Sequence, residues 1–185
     1  AILIFGLVAV PTWVAMYLDH RIQRLSKNDA EVRPVNEPSG AIPSELPPEI
    51  VSGATVYVPL YSYIYVGEGD RLLLAGTLSI RNTDSEHSLT VSGVHFDDTE
   101  GKHVRNFLQK PLKLKPLGTT DFLVKESDVT GGPGANFIVE WVADEPVHSP
   151  LIEAVMVSRK GGVGAFVCPG HVIKQHTATT SAPAP

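Results

Sequence analysis

The sequence predicts an all-β fold: an antiparallel β-sandwich of immunoglobulin-like kind, preceded by one N-terminal transmembrane helix. Three observations predict it. Residues 1–18 (AILIFGLVAVPTWVAMYL) contain no charged side chain. Residues 31–49 carry Pro34, Pro38, Pro43, Pro47 and Pro48. From residue 50 to about 176, apolar and polar residues alternate in short runs broken by Gly, Asn, Asp and Pro. That is the pattern of half-buried strands joined by tight turns.

Taken in order, the first 18 residues would rise about 27 Å as a helix, close to the roughly 30 Å hydrocarbon core of a bilayer. Trp13 and Tyr17 lie near one end of this run, where amphipathic rings favour the headgroup level. They are candidate contacts for lipid or for neighbouring helices. No small-x-small cleavage pattern precedes the polar turn at Asp19, which favours an anchor over a cleaved signal. A membrane helix also tolerates Pro11 better than a soluble helix does. Residues 19–30 keep a helical spacing through Ile22 and Leu25, so the anchor segment is assigned 1–30. Arg21, Arg24 and Lys27 follow the apolar run and, taken alone, would place that side in the cytoplasm. The prolines of 31–49 favour extended polyproline conformations, a spacer between membrane and domain.

The β domain is assigned 50–176. In its first run, TVYVPLYSYIYV, Val56, Val58, Leu60 and Ile64 fall on one face and Tyr57, Tyr61, Tyr63 and Tyr65 on the other. Pro59 inside the run suggests an edge strand or a bulge. Further strands are expected over 71–82, 88–96, 103–108, 119–126, 135–143, 152–159 and 164–174, with turn residues between them. The closing TATTSAPAP (177–185) reads as a flexible tail.

Chemistry is sparse. The tyrosine row is a candidate partner-binding surface, since aromatic rows bury much area at low entropic cost; the same row would serve equally as core. His95, Asp97 and His103 in VHFDDTEGKH are weak metal candidates: strand alternation puts His95 and Asp97 on one face, and a hairpin would return His103 beside them. The competing reading of DDTEG is a plain polar turn. The glycines of TGGPGAN (130–136) precede a β-type run rather than a helix, which argues against a phosphate cradle. Cys168 lies in an apolar strand and reads as a small hydrophobe; as the single cysteine it excludes an internal disulfide. A net charge of −5 argues against a general nucleic-acid binder. With 43% hydrophobic and 19% charged residues the chain is not wholly disordered.

The segments VYVPLYSYIY, LSIRNTD, LVKESDVTGGPGANFIVEW and PLIEAVMV, over about residues 54–175, resemble an uncharacterised bacterial domain-of-unknown-function family of exported or membrane-anchored β proteins. The resemblance implies no reaction and no catalytic residues. It does imply export, which places the β domain in the periplasm and the anchor in the bacterial inner membrane. The expected function is a non-catalytic accessory or structural subunit of a multi-subunit membrane complex, photosynthetic or respiratory, whose β domain caps or clamps the periplasmic face. Its expected partners are the other subunits and, through residues 1–18, the bilayer; no cofactor and no nucleic acid are expected. Two rivals stand beside it: a periplasmic module binding a ligand or partner through the tyrosines and, more weakly, a metal-dependent enzyme.

Overall fold

A computed structural model describes residues 41–158 and 164–177. Its strands, in chain order, are β1 (Ala41–Pro43), β2 (Ser52–Pro59), β3 (Tyr63–Val66), β4 (Asp70–Leu73), β5 (Ala75–Arg81), β6 (Leu89–Asp97), β7 (His103–Asn106), β8 (Leu112–Leu114), β9 (Thr119–Val124), β10 (Asn136–Ala143), β11 (Leu151–Ser158), β12 (Gly164–Pro169) and β13 (His171–Thr177). A single 3-10 turn, Gly132–Gly134, is the helical element among the described residues. The larger sheet has the order β1-β8-β6-β10-β2-β13, with β7 also on β6; the smaller has the order β12-β11-β5-β9; β3 and β4 form a hairpin by themselves. Every strand pairing is antiparallel. The domain is therefore all-β and antiparallel, as the period-two pattern predicts.

The alternation explains the layers. In β10, Phe137, Val139 and Trp141 point to the core; in β11, Ile152, Ala154 and Met156 do so, while Leu151, Glu153 and Val155 between them are less buried. The two sheets share one core. At its centre, the Phe96 and Phe137 rings of the larger sheet meet at a tilt with centroids 5.3 Å apart, and Phe107 links Phe137 (5.4 Å) to Phe122 of the smaller sheet (5.9 Å). Aromatic pairs at these separations add specific geometry to their buried area.

The structure departs from the sequence reading in five places. First, the run 55–66 is not one strand. β2 ends at Pro59, whose missing N–H cannot extend the ladder, and the chain then crosses through Leu60–Ser62 into the hairpin. Backbone bonds fix that crossing: Leu60 N–H donates to Ala135 O, Ser62 N–H to Gly132 O, and Leu74 N–H to Ser62 O. Second, β2 is no edge strand, for it lies between β10 and β13. Third, the stretch expected as spacer contributes β1, which pairs with the short β8 from Ala41↔Leu114 to Pro43↔Leu112. Fourth, 164–177 is one extended run that changes sheets: β12 pairs with β11, and after Gly170, β13 pairs with β2. Gly170 N–H donates to Ile152 O. A Cβ there would lie 2.7 Å from Val56 Cγ1 and 2.8 Å from Ile152 O, so only glycine lets the strand cross so close to both sheets. Fifth, the run expected as one strand over 71–82 is two: β4 pairs with β3 in the hairpin, and after Leu74, β5 pairs with β9 and β11.

The expected anchor (1–30), most of the spacer, Trp13, Tyr17 and the tail beyond Thr177 lie outside the described residues. Among the described residues, no helix is long and apolar enough to cross a membrane.

Candidate functional site

Three polar or aromatic groupings stand out, each placed by a different part of the fold. The first is the hairpin. Because the chain leaves the large sheet after Pro59, the four tyrosines do not form a single row. Tyr57 remains on β2, half-buried on the outer face of the large sheet. Tyr61 packs against Phe166 of β12 at 6.2 Å. Tyr63 is buried (8% exposed), whereas Tyr65 is 57% exposed, their rings meeting edge-on at 5.6 Å. Arg71, paired opposite Tyr65, lies over the Tyr63 ring at 4.6 Å, a cation–π arrangement. The hydrogen bond to Tyr65 and partial desolvation push the Tyr63 hydroxyl pKa up, against the pull of Arg71. The tip turns through Gly67 and Gly69, both at positive φ, where glycine alone is unstrained. Tyr65 and Val66 are the exposed apolar residues of this finger.

The second grouping lies on the outer face of the large sheet and holds the residues singled out for metal. Asp97 and His103 are register partners between β6 and β7, and His95 faces Asn106. His103 Nδ1 lies 3.2 Å from Asp97 Oδ1; His95 Nδ1 lies 2.7 Å from Asn106 Oδ1. The two imidazole rings are 5.8 Å apart. Glu140 of β10 brings Oε2 to 3.8 Å from His95 Nε2. Among the described residues, no group of three or more His, Cys, Asp or Glu is arranged to hold a metal ion as it stands. The turn between them is fixed by Asp98, whose Oδ1 accepts the N–H groups of Glu100 and Lys102.

Sequence reading missed the third grouping. Asp84 is 6% exposed, yet it is a charged residue in a loop. Its Oδ1 accepts the N–H groups of Glu86 (2.9 Å) and His87 (2.8 Å), and its Oδ2 that of His148 (3.1 Å). These bonds hold the Asp84 carboxyl far below the ordinary carboxylate range, with the nearby His87 ring adding to the effect. Asn82, 2% exposed, braces the loop by donating to His87 O and Lys115 O and accepting from Asp84 N–H. His87 bridges onward to Glu145 at 3.0 Å. A shallow cleft of about 440 Å³ opens here between 84–87 and 146–148. The available signal was Asn82-Thr83-Asp84, which reads as ordinary turn chemistry.

The remaining motifs are structural. In 130–136 only Gly132 has positive φ. The Thr99 hydroxyl donates to Gly131 O and accepts from Gly134 N–H; a Cβ on Gly132 would sit 2.5 Å from that hydroxyl. The glycines thus let a connecting loop seat on Thr99. Asp128 ties this loop to β7: burial pushes its carboxyl up, but Thr130 and Arg105 outweigh that and hold it below the ordinary value. Cys168 is half-buried against the core, and desolvation raises its thiol pKa, the opposite of what an activated nucleophile needs.

No curated protein matches the chain. Among solved structures, one described as the crystal structure of Thermotoga maritima 1070 is similar at 12% identity and a TM-score of 0.37, over 64% of this chain and 92% of that one. An overlap that loose bears on neither fold nor function. A family model described as "Protein of unknown function (DUF3124)" matches residues 53–173. The match takes in the hairpin, the His95 group and the Asp84 cleft, and it covers more than half of the chain: the protein belongs to the DUF3124 family.

Proposed function

We propose that the chain is a non-catalytic accessory subunit, anchored in the bacterial inner membrane by residues 1–18, whose β domain engages a membrane complex on the periplasmic side. The architecture in this reading is an immunoglobulin-like sandwich held off the bilayer by the proline-rich segment. The observation that supports it is the hairpin. It belongs to neither sheet, and it presents Tyr65 (57% exposed) and Val66 (41% exposed) beyond the core. An exposed aromatic residue beside an exposed aliphatic one suits an interface: the ring buries a large area and loses little side-chain entropy. A complex of the photosynthetic or respiratory kind is the proposed host.

A second reading is a ligand-binding module, favoured by Arg71 stacked on Tyr63 beside the exposed Tyr65 ring, since a ring with an adjacent guanidinium suits sugar or anionic ligands.

The test is purification from native membranes in mild detergent through a C-terminal tag, with mass spectrometry of the co-purifying chains. A fixed set of membrane subunits at constant stoichiometry, lost in Tyr65→Ala with Val66→Ser, is the expected outcome. A lone monomer would overturn the accessory-subunit reading, and glycan binding lost in the same variant would establish the second.

A further inference from the structure

His95 is held as a metal ligand would be held. Asn106 Oδ1 can only accept, so at 2.7 Å it draws the proton to His95 Nδ1 and leaves the Nε2 lone pair free in the neutral ring. His103 is prepared in the same way by the Asp97 carboxylate at Nδ1. An imidazole whose Nδ1–H is fixed by an oxygen acceptor is the usual second shell of a metal-bound histidine. Two such rings stand 5.8 Å apart on one sheet face.

The free Nε2 of His95 does not meet a donor. It faces the Glu140 carboxylate at 3.8 Å, too far for a hydrogen bond and lone pair against lone pair in the neutral tautomer. A divalent ion removes that opposition. With metal–nitrogen and metal–oxygen bonds of about 2.0–2.2 Å, tetrahedral ligation needs an N···O separation of about 3.4 Å, so a small closure of the two side chains suffices. Gly93, the register partner of Glu140 on β6, makes the approach possible: a Cβ there would fall 2.9 Å from His95 Nε2 and 3.0 Å from Glu140 Oε2. His95 and Glu140 thus lie across a glycine whose missing side chain leaves the space where they meet. Both are partly exposed, which provides an entry path.

We propose that this face binds one divalent transition-metal ion through His95 Nε2 and Glu140 Oε2, with His103 drawn in as a third donor and water completing the shell. Nitrogen with carboxylate oxygen suits zinc or copper(II), and excludes a calcium- or magnesium-type site built of oxygens alone. The inference does not depend on the accessory-subunit reading.

The full chain in detergent, carrying a histidine-free tag, is titrated with Zn²⁺ by calorimetry at neutral pH, and Cu²⁺ loading is followed by electron paramagnetic resonance for coordinated imidazole nitrogen. One equivalent is expected, with at least one imidazole in the spectrum. His95→Ala and Glu140→Gln abolish it. Asn106→Ala, which touches no metal, weakens it roughly tenfold or more by freeing the ring. Gly93→Ala weakens binding while leaving the melting temperature nearly unchanged, because the flexible ends of His95 and Glu140 can move aside. His87→Ala, at the Asp84 cleft, has no effect. Absence of saturable binding, binding that survives His95→Ala, or loss in His87→Ala instead, would overturn the proposal.

Discussion

Asp84 shows how much one buried carboxylate can organise. Three backbone N–H groups from two separate loops converge on its oxygens, so it ties 84–87 to 146–148 by charge-assisted bonds. Its folded-state pKa is depressed. The stabilising contribution is therefore complete above the ordinary aspartate value of about 3.9 and is lost as pH falls through the folded value. Asp84→Asn keeps the shape and loses the charge. Thermal melts from pH 2 to pH 8 should show the variant melting several degrees below wild type from pH 8 down to about pH 4, with the gap narrowing only below that. No gap at pH 7 would mean that Asp84 acts by shape alone. Sequence reading passed over this residue because Asn and Asp in a loop ordinarily form local turns, and the partner at His148 is 64 residues away.

At the scale of elements, the strands legible in the sequence are those with one buried face over six or more residues, such as β6, β9, β10 and β11. Those missed, β1 and β8, are three residues long, too short for any period to declare itself. The crossing at Leu60–Ser62 was hidden for a different reason: alternation continues straight through it, and what breaks the strand is Pro59 together with contacts to 132–135 that lie far off in sequence. The same non-locality hid Glu140. It reads as the outward member of an alternating pair, and only the pairing of β10 with β6 sets it beside His95. His95, Asp97 and His103, by contrast, are joined by a local strand–turn–strand, which is why they were legible as a group. Gly170 is the element-scale test. Its backbone is unstrained, so the constraint is space: Gly170→Ala drives a methyl against Val56 and Ile152 and should cost on the order of 1–3 kcal/mol. Hydrogen exchange should show protection falling in β12 and β13 together, since one residue seats both; loss confined to β13 would separate them.

For the molecule as a whole, the two sheets are held by one core and not by covalent links. The Phe96–Phe137–Phe107–Phe122 chain spans that core from sheet to sheet. Phe137 is completely buried, and Phe137→Ala should lower stability by about 3–5 kcal/mol through lost transfer energy and an unfilled cavity. Val167→Ala, at an exposed position on β12, should stay within about 0.5 kcal/mol; chemical denaturation of both variants measures the contrast. A large loss from Val167→Ala would show that β12 is covered by something beyond the described residues.

The sheet-changing run at Gly170 also bears on how the fold is reached in time. It comes after every other described strand, and it alone pairs with β11 of one sheet and β2 of the other. A chain delivered from its N-terminus can pair β2 with β10 and β5 with β11 beforehand, but it leaves the β2 edge and the β11 edge open until residues 164–177 arrive. Such open edges invite pairing with foreign strands. The partly delivered chain is therefore the species most exposed to mispairing, and joining residues separated by more than a hundred positions makes the closing step slow.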